Sequence, residues 1–157
     1  MVVDKFLHIV SVFVKYTTLF LWGGVVYYGI ELAYRGHSHP LMFAAGGVCL
    51  LAVGALNNYL PWDLGLVWQT LIGAVIITAV ELVFGLVGNV WLGLAIWDYS
   101  DLRFNFMGQI SLLYSLYWLP LALVAILLDD FLRWKLYGQE RPRYTIFRTR
   151  KETGTDD

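Results

Sequence analysis

The chain has 157 residues, of which 59% are hydrophobic and 15% charged, whereas an ordinary soluble domain is roughly 45–50% apolar and about 25% charged. This composition argues against a soluble fold. The formal net charge of −1 hides two regions of opposite sign, because residues 133–157 carry seven bases and four acids while the rest carries four bases and eight acids.

Four apolar segments are long enough to cross a bilayer as helices. A spanning helix needs roughly 20 mostly apolar residues, since the hydrocarbon core is about 30 Å thick and a helix rises about 1.5 Å per residue. The runs predict helices near 10–34, 40–57, 66–90 and 107–135. We therefore predict an all-α integral membrane fold with four transmembrane helices over 1–135, followed by a basic cytoplasmic tail over 136–157.

The end of the first predicted helix carries a polar cluster. Glu31 and Arg35 are one turn apart with the acid first, which is the favourable order for a helical ion pair. His37 and His39 follow in the next turn. They supply only two of the three or four ligands that a metal site needs, and the alternative is a polar interfacial loop. The sequence leaves metal binding open.

An acidic residue recurs at the same place in the first and third helices. A shift of fifty positions aligns 25–34 with 75–84 and places Glu81 under Glu31. Such an echo is typical of repeated helical hairpins in transporters, although apolar segments also align by chance. Two repeated hairpins, 1–2 and 3–4, and a chance similarity both remain open.

Glu81 lies near the middle of the third predicted helix, where an ionisable side chain costs several kcal/mol unless it is paired or hydrated. Thr78, Gly85 and Asn89 share its helix face. This face suits a cation, a proton or a polar solute, and the alternative is a neutral Glu that ties helices together. The third apolar run is too long for one straight span, so we expect a bend over 89–97.

The segment before the last helix is rich in polar side chains. Asp98 and Asn105 are suited to turns and helix caps, which indicates an interfacial or re-entrant loop. If the same residues face a cavity, they would line a water-filled vestibule on the outer side. The candidate substrate-binding or pore residues are Glu31, Arg35, His39, Glu81, Asn89, Asp98, Asn105 and Gln109.

The last predicted helix ends in charged residues. Asp129 and Arg133 are four residues apart and predict an ion pair, and Pro120 predicts a kink. The bases after Leu132 place the C-terminus in the cytoplasm by the positive-inside rule, and four helices would place the N-terminus there as well. Beside a membrane, a basic tail predicts contact with anionic headgroups rather than with nucleic acid.

Three sequence blocks resemble one family of bacterial membrane proteins. The blocks are Glu31-x-x-x-Arg35-Gly36-x-x-His39, Glu81-x-x-x-Gly85-x-x-x-Asn89, and Trp97-Asp98-Tyr99-Ser100 with Phe104-Asn105-x-x-Gly108-Gln109-Ile110. With them, the chain is similar to the small proteins catalogued as type IV ABC-transporter permeases. The resemblance implies a transport role in a bacterial plasma membrane. The sequence has no phosphate-binding Gly-Lys-Ser/Thr loop, so ATP hydrolysis would need a separate subunit.

These features support three classes of function. The first is a homo-oligomer, most simply a dimer, that binds or passes a small polar or cationic solute without a cofactor. Small residues such as Gly46, Gly47 and Gly54 would allow the close helix contacts. The second is a membrane scaffold or accessory subunit that engages proteins or lipid headgroups. A membrane-embedded enzyme is the least favoured, because no spacing of nucleophile and base is visible.

Overall fold

The computed structural model describes residues 2–56 and 64–147. Its elements are α1 (Val2–Arg35), α2 (Pro40–Gly54), α3 (Leu66–Gly85), a short π-helix (Leu86–Trp91), the strands β1 (Asn105–Phe106) and β2 (Ile110–Ser111), and α4 (Leu112–Tyr137). The two strands pair in an antiparallel hairpin. The fold is therefore a helical bundle, as predicted, with one irregular segment before the last helix.

Three helices are long and apolar enough to cross a membrane: Val3–Arg35, Leu66–Trp91 and Leu112–Tyr137. α2 is also apolar but has 15 residues, about 22 Å at a rise of 1.5 Å per residue, which is shorter than a hydrocarbon core of about 30 Å. The predicted second helix reached residue 57, which lies outside the described residues. The fourth span is thus not confirmed.

The two ends of the bundle differ in structure. At the loop end, which we define as residues 36–39 and 92–111, the chain turns from α1 into α2 and from the π-helix into α4. At the tail end, residues 138–147 follow α4, and the N–H of Leu66 donates to the carbonyl of Thr145 (2.7 Å). The residues after α4 therefore contact the start of α3.

The segment from 92 to 111 contains the bend that was predicted over 89–97. The π-helix ends at Trp91, and Gly93 has a φ of 65°, which glycine adopts at no steric cost. The predicted start of the last helix at 107 is wrong, because Met107 and Gly108 also have positive φ. Ser111 caps α4 instead, its side chain accepting from the N–H of Tyr114. α4 is continuous through Pro120.

α1 and α2 approach closely where glycines face each other. A Cβ on Gly23 would lie 2.6 Å from the carbonyl oxygen of Gly46 and 2.6 Å from the Cβ of Leu50. The Phe20 ring covers Gly47 in the same way. Gly46 and Gly47 thus make close helix contacts within the chain, and assembly of copies stays a prediction.

Replacing Gly23 with Ala is expected to destabilise the bundle by about 1–3 kcal/mol, because the added methyl group forces α1 and α2 apart. Gly29 is a matched control on the same helix, since a Cβ there would have no neighbouring heavy atom within 4 Å; at that position, Ala should be neutral or slightly stabilising. Thermal unfolding in detergent micelles measures both variants. Equal melting temperatures would contradict the close contact.

The buried centre of the bundle lies between α2, α3 and α4. Its core residues are Val53, Ala74, Ile77, Trp118, Ala122 and Ile126. Gly73 permits α3 to approach α4, because a Cβ there would lie 3.1 Å from the Cβ of Ala122. Glu81 sits one turn beyond Ile77 on the same side of α3, so the core positions this carboxylate inside the bundle.

At an offset of fifty positions, the suggested repeat covers only one helix. The shift of fifty positions that aligns α1 with α3 would place α2 on residues 90–104, which are mostly non-helical. A four-residue turn follows α1, whereas the long irregular segment follows α3. The duplication stays a prediction.

Candidate functional site

Glu81 is buried in the bundle, with 8% of the residue exposed. Its Oε2 accepts a hydrogen bond from Nε1 of Trp118 (2.8 Å), and its Oε1 accepts one from the hydroxyl of Tyr99 (3.0 Å). Both donors are neutral, and no Lys, Arg or His pairs with Glu81 within the described part of the chain. These two contacts suit an ionised carboxylate and equally a neutral carboxyl group that ties helices together.

The polar face predicted around Glu81 is turned towards α4 and the irregular segment. The Thr78 hydroxyl lies 3.3 Å from the Ser115 hydroxyl on α4. A Cβ on Gly85 would lie 2.9 Å from the Cβ of Gln109. Small and polar side chains along α3 therefore make room for the segment that carries Tyr99.

Asn89, on the π-helix that follows α3, fixes that segment in place. Its Oδ1 accepts from the N–H of Ile96 (2.7 Å), and its Nδ2 donates to the carbonyl of Trp97 (3.0 Å) and to Oε1 of Gln109 (2.9 Å). Gln109 is 6% exposed, and its backbone carbonyl accepts from Nε1 of Trp97 (2.9 Å). Asn89 and Gln109 thus join both ends of the irregular segment.

Asp98 and Asn105 shape the turns between these anchors. Asp98 is exposed and accepts from the N–H and the hydroxyl of Ser100, and these bonds hold the pKa of Asp98 below its usual value. Asn105 donates to the carbonyls of Ser100 and Leu102 and accepts from the N–H of Gly108. The vestibule predicted from these residues stays a prediction, since all of these hydrogen bonds remain inside the segment.

Like Trp118, Tyr99 is a site residue that sequence reasoning missed. Its ring stacks on Tyr114 of α4 with centroids 4.3 Å apart and an interplanar angle of 14°, while its hydroxyl reaches Glu81. The sequence does contain a signal for an aromatic site. The aromatic residues at 114, 117 and 118 are spaced so that their rings lie near one face of a helix. The irregular segment therefore contributes directly to the surroundings of Glu81.

The predicted ion pair between Glu31 and Arg35 is present at the end of α1. The second carboxylate oxygen of Glu31 accepts from the Ser38 hydroxyl (2.6 Å). Glu31 is 7% exposed, and the Arg35 side chain is 25% exposed. Glu31 thus has a cationic partner, in contrast to Glu81.

The two histidines of the α1–α2 turn have local contacts. Nδ1 of His39 accepts from the N–H of Leu41 (3.1 Å) and caps α2, and Nδ1 of His37 lies 3.0 Å from the carbonyl oxygen of Arg35. Across the described ranges, no three His, Cys, Asp or Glu residues are grouped to hold a metal ion. This arrangement favours the polar-loop interpretation of the turn.

A cavity of about 500 Å³ separates α1 from α4 near the loop end. This volume is within the range typical of small-molecule sites, roughly 300–1,000 Å³. The Glu31–Arg35 pair lies on its rim, and its aromatic wall is formed by Tyr27, Tyr34, Tyr99, Tyr114, Tyr117 and Trp118. We call this space the α1–α4 cavity.

Glu81 lies behind the aromatic wall. Tyr99 and Trp118, which donate to its carboxylate, both line the α1–α4 cavity. Glu81 itself lines a smaller cavity of about 60 Å³, and Tyr27 and Trp118 border both spaces. Of the predicted site residues, Glu31, Arg35 and Glu81 are thus brought to one region.

A second ionic cluster is buried at the tail end. Asp129 is 0% exposed, Arg133 is 4% exposed, and Nε of Arg133 donates to Oδ2 of Asp129. Gly54 leaves room for this carboxylate, because a Cβ there would overlap it. Oδ1 of Asp129, Nη2 of Arg133 and Oε1 of Gln69 have no hydrogen-bond partner among the described residues. The predicted pair is therefore buried on α4 where that helix packs against Gly54 of α2.

The residues after α4 contact Asp130, which is next to Asp129 in the chain. The Tyr144 hydroxyl donates to Oδ2 of Asp130 (2.8 Å), and partial burial together with Asp130 raises the pKa of Tyr144. α4 extends to Tyr137, so residues 136 and 137, which the sequence assigned to the tail, are helical. The bases Arg148, Arg150 and Lys151 lie outside the described residues.

The long apolar helices of the chain define a polytopic membrane protein. A family model described as "Putative ABC-transporter type IV" matches residues 17–140. The chain belongs to this family, which confirms the resemblance seen in the sequence. No curated protein and no solved structure matches the chain.

Proposed function

We propose that the chain is a membrane transport protein that binds a small cationic solute in the α1–α4 cavity, with Glu81 as the central carboxylate. The observation that carries the proposal is the burial of Glu81 against two neutral donors, with no cationic side chain paired to it in the part of the chain that the structure describes. Burying an ionised carboxylate costs several kcal/mol unless it is compensated. A cationic solute would provide that compensation.

The charge of the surrounding groups supports a cation rather than an anion. Arg35 is the cationic residue on the cavity lining, and its guanidinium is already paired with Glu31. Because the charges of Glu31 and Arg35 cancel, an ionised Glu81 gives the region a net negative charge. The field inside the cavity therefore favours a positive ligand.

The proposal includes termini on the cytoplasmic side of a bacterial plasma membrane and assembly as a homodimer. Nζ of Lys15 lies 6.0 Å from the centre of the Tyr137 ring, so the middle of α1 lies near the end of α4. Arg133, Lys135 and Arg141 add basic charge to this end, which the positive-inside rule assigns to the cytoplasm. We propose a dimer because the helices of one copy are too few to enclose both a site and its gates.

Reconstituted protein on a solid-supported membrane tests the proposal. Sodium, potassium, methylammonium and choline are applied in turn, and at least one should give a charge-displacement current above that of protein-free liposomes. Glu81→Gln should reduce this current by about tenfold or more, because it removes the negative charge behind the aromatic wall. Glu140→Gln is the matched control, since Glu140 is exposed beyond α4.

Two outcomes would overturn the proposal. One is a wild-type protein as silent as empty liposomes to every cation, a result that would favour the scaffold class. The other is an undiminished current in Glu81→Gln, which would remove the central carboxylate from the binding step.

A further inference from the structure

We infer that the α1–α4 cavity selects an organic ammonium ion with apolar substituents rather than a bare metal cation. The inference rests on the proposed function and specifies the class of its solute. It is carried by the aromatic wall, by the contact of two of its rings with Glu81, and by the lateral opening of the cavity.

The wall consists of rings in mutual contact. Tyr114 stacks on Tyr99, and its centroid lies 5.8 Å from that of Tyr117 and 6.2 Å from that of Trp118. Tyr27 meets Trp118 edge to face at 6.3 Å. Aromatic faces attract ammonium groups through the ring quadrupole, and such cages are the usual recognition element for quaternary ammonium ions.

A dehydrated metal cation finds fewer suitable ligands in this cavity. Alkali and alkaline-earth ions are held by several oxygen atoms that replace their hydration shell. The carboxylate on the cavity lining belongs to Glu31, whose oxygens are already engaged by Arg35 and Ser38. An alkylated ammonium ion is weakly hydrated and needs no such oxygen cage.

Glu81 strengthens the aromatic wall for a cation. Its oxygens accept from the Tyr99 hydroxyl and from Nε1 of Trp118. A negative acceptor at the polar edge of a phenol or an indole increases the electron density of the ring face. The carboxylate therefore acts on the cation both through its own charge and through the two rings that separate it from the cavity.

The cavity also accommodates an apolar substituent. Besides the aromatic wall, its lining includes Ile30, Leu121 and Val124. Tyr117 is 53% exposed, Val124 50% and Ile30 42%, so the space opens sideways between α1 and α4. An ion with an ammonium group at the rings and an apolar group at this opening satisfies both parts.

Calorimetric titration in lipid nanodiscs tests the inference with four probes: benzyltrimethylammonium, choline, 3,3-dimethyl-1-butanol as the uncharged isostere of choline, and sodium. We expect benzyltrimethylammonium to bind tightest and the uncharged isostere to bind at least about tenfold more weakly than choline. Tyr114→Leu should weaken benzyltrimethylammonium about tenfold while keeping the site apolar. Phe131→Leu is the matched control, because this exposed ring on α4 contacts Trp134 and lies outside the cavity lining.

Should Tyr114→Leu not fold, Tyr117→Leu at the exposed rim provides the same comparison. Equal affinity for choline and its uncharged isostere, or undiminished binding in the Tyr variant, would overturn the inference. If sodium currents depend on Glu81 while no organic cation binds, the proposed function stands and the ammonium selectivity falls. If no cation gives a signal that depends on Glu81, both fall.

Discussion

Replacing Arg133 with Met is expected to lower the free energy of unfolding by about 3–5 kcal/mol, the cost of leaving a buried charge without its partner. Asp129 is 0% exposed, and its Oδ2 accepts from Nε of Arg133. Its other oxygen has no partner among the described residues. The carboxylate would therefore remain buried with neither an ion pair nor water to compensate its charge.

Two comparisons show whether burial causes this loss. Adding Asp129→Asn to Arg133→Met removes the orphaned charge and should recover at least about half of the lost stability. Arg35→Met breaks the pair at the loop end, where Arg35 is 25% exposed and Ser38 still donates to the buried Glu31, so the loss should be smaller than that of Arg133→Met. Titration with sodium dodecyl sulfate in mixed micelles measures all three variants; equal losses at the two pairs would refute the distinction.

Replacing Glu81 with Leu is expected to lower the free energy of unfolding by about 1–3 kcal/mol for each hydrogen-bond donor that loses its acceptor. The donors are Nε1 of Trp118 and the Tyr99 hydroxyl, and Trp118 is 8% exposed. Water therefore has little access to replace the lost acceptor at the indole.

A double-mutant cycle isolates the bond to Tyr99. Tyr99→Phe removes the hydroxyl but keeps the ring that stacks on Tyr114. The combined variant Glu81→Leu with Tyr99→Phe should be less destabilised than the sum of the single variants, with a coupling of about 0.5–3 kcal/mol. Additive losses would show that the hydroxyl and the carboxylate do not interact. Glu140→Leu, on the exposed tail, is the control for the acid-to-Leu change.

The helices could largely be predicted from the sequence, because apolar runs of sufficient length leave few alternatives to a membrane helix. The boundaries were harder where side chains bond to the local backbone. Asn105 accepts from the N–H of Gly108 and Ser111 caps α4, so the apolar residues from 104 to 110 form turns and a short hairpin rather than the first turn of a helix. α2 is shorter than predicted, and hydropathy alone does not specify where such a helix ends.

The candidate site could be predicted only where its contacts are local. The pairs Glu31–Arg35 and Asp129–Arg133 follow from a spacing of four residues on a helix. The bond between Tyr99 and Glu81 does not, because it requires an irregular segment to fold back over the end of α3. Asn89 illustrates the same limit: its place on the Glu81 face follows from the spacing, but its bonds to the backbone at residues 96 and 97 do not.

Local sequence patterns also could not predict that the ion pair at the tail end is buried. Helical spacing brings Asp129 and Arg133 together, but only the glycine on a different helix, Gly54, leaves room for the carboxylate. The aromatic wall of the α1–α4 cavity likewise combines residues of α1, α4 and the irregular segment. Contacts of this kind depend on how helices pack rather than on the composition of any one of them.

The most direct test of the account locates the bound cation. A bromine-labelled aryltrimethylammonium ion is soaked into crystals of the protein, and the bromine is located by its anomalous scattering. We predict a peak in the α1–α4 cavity, beside Tyr114 and Trp118, that disappears in crystals of Glu81→Gln. A peak elsewhere in the protein, or one of equal height in the Glu81→Gln crystals, would contradict a cation site built around this carboxylate.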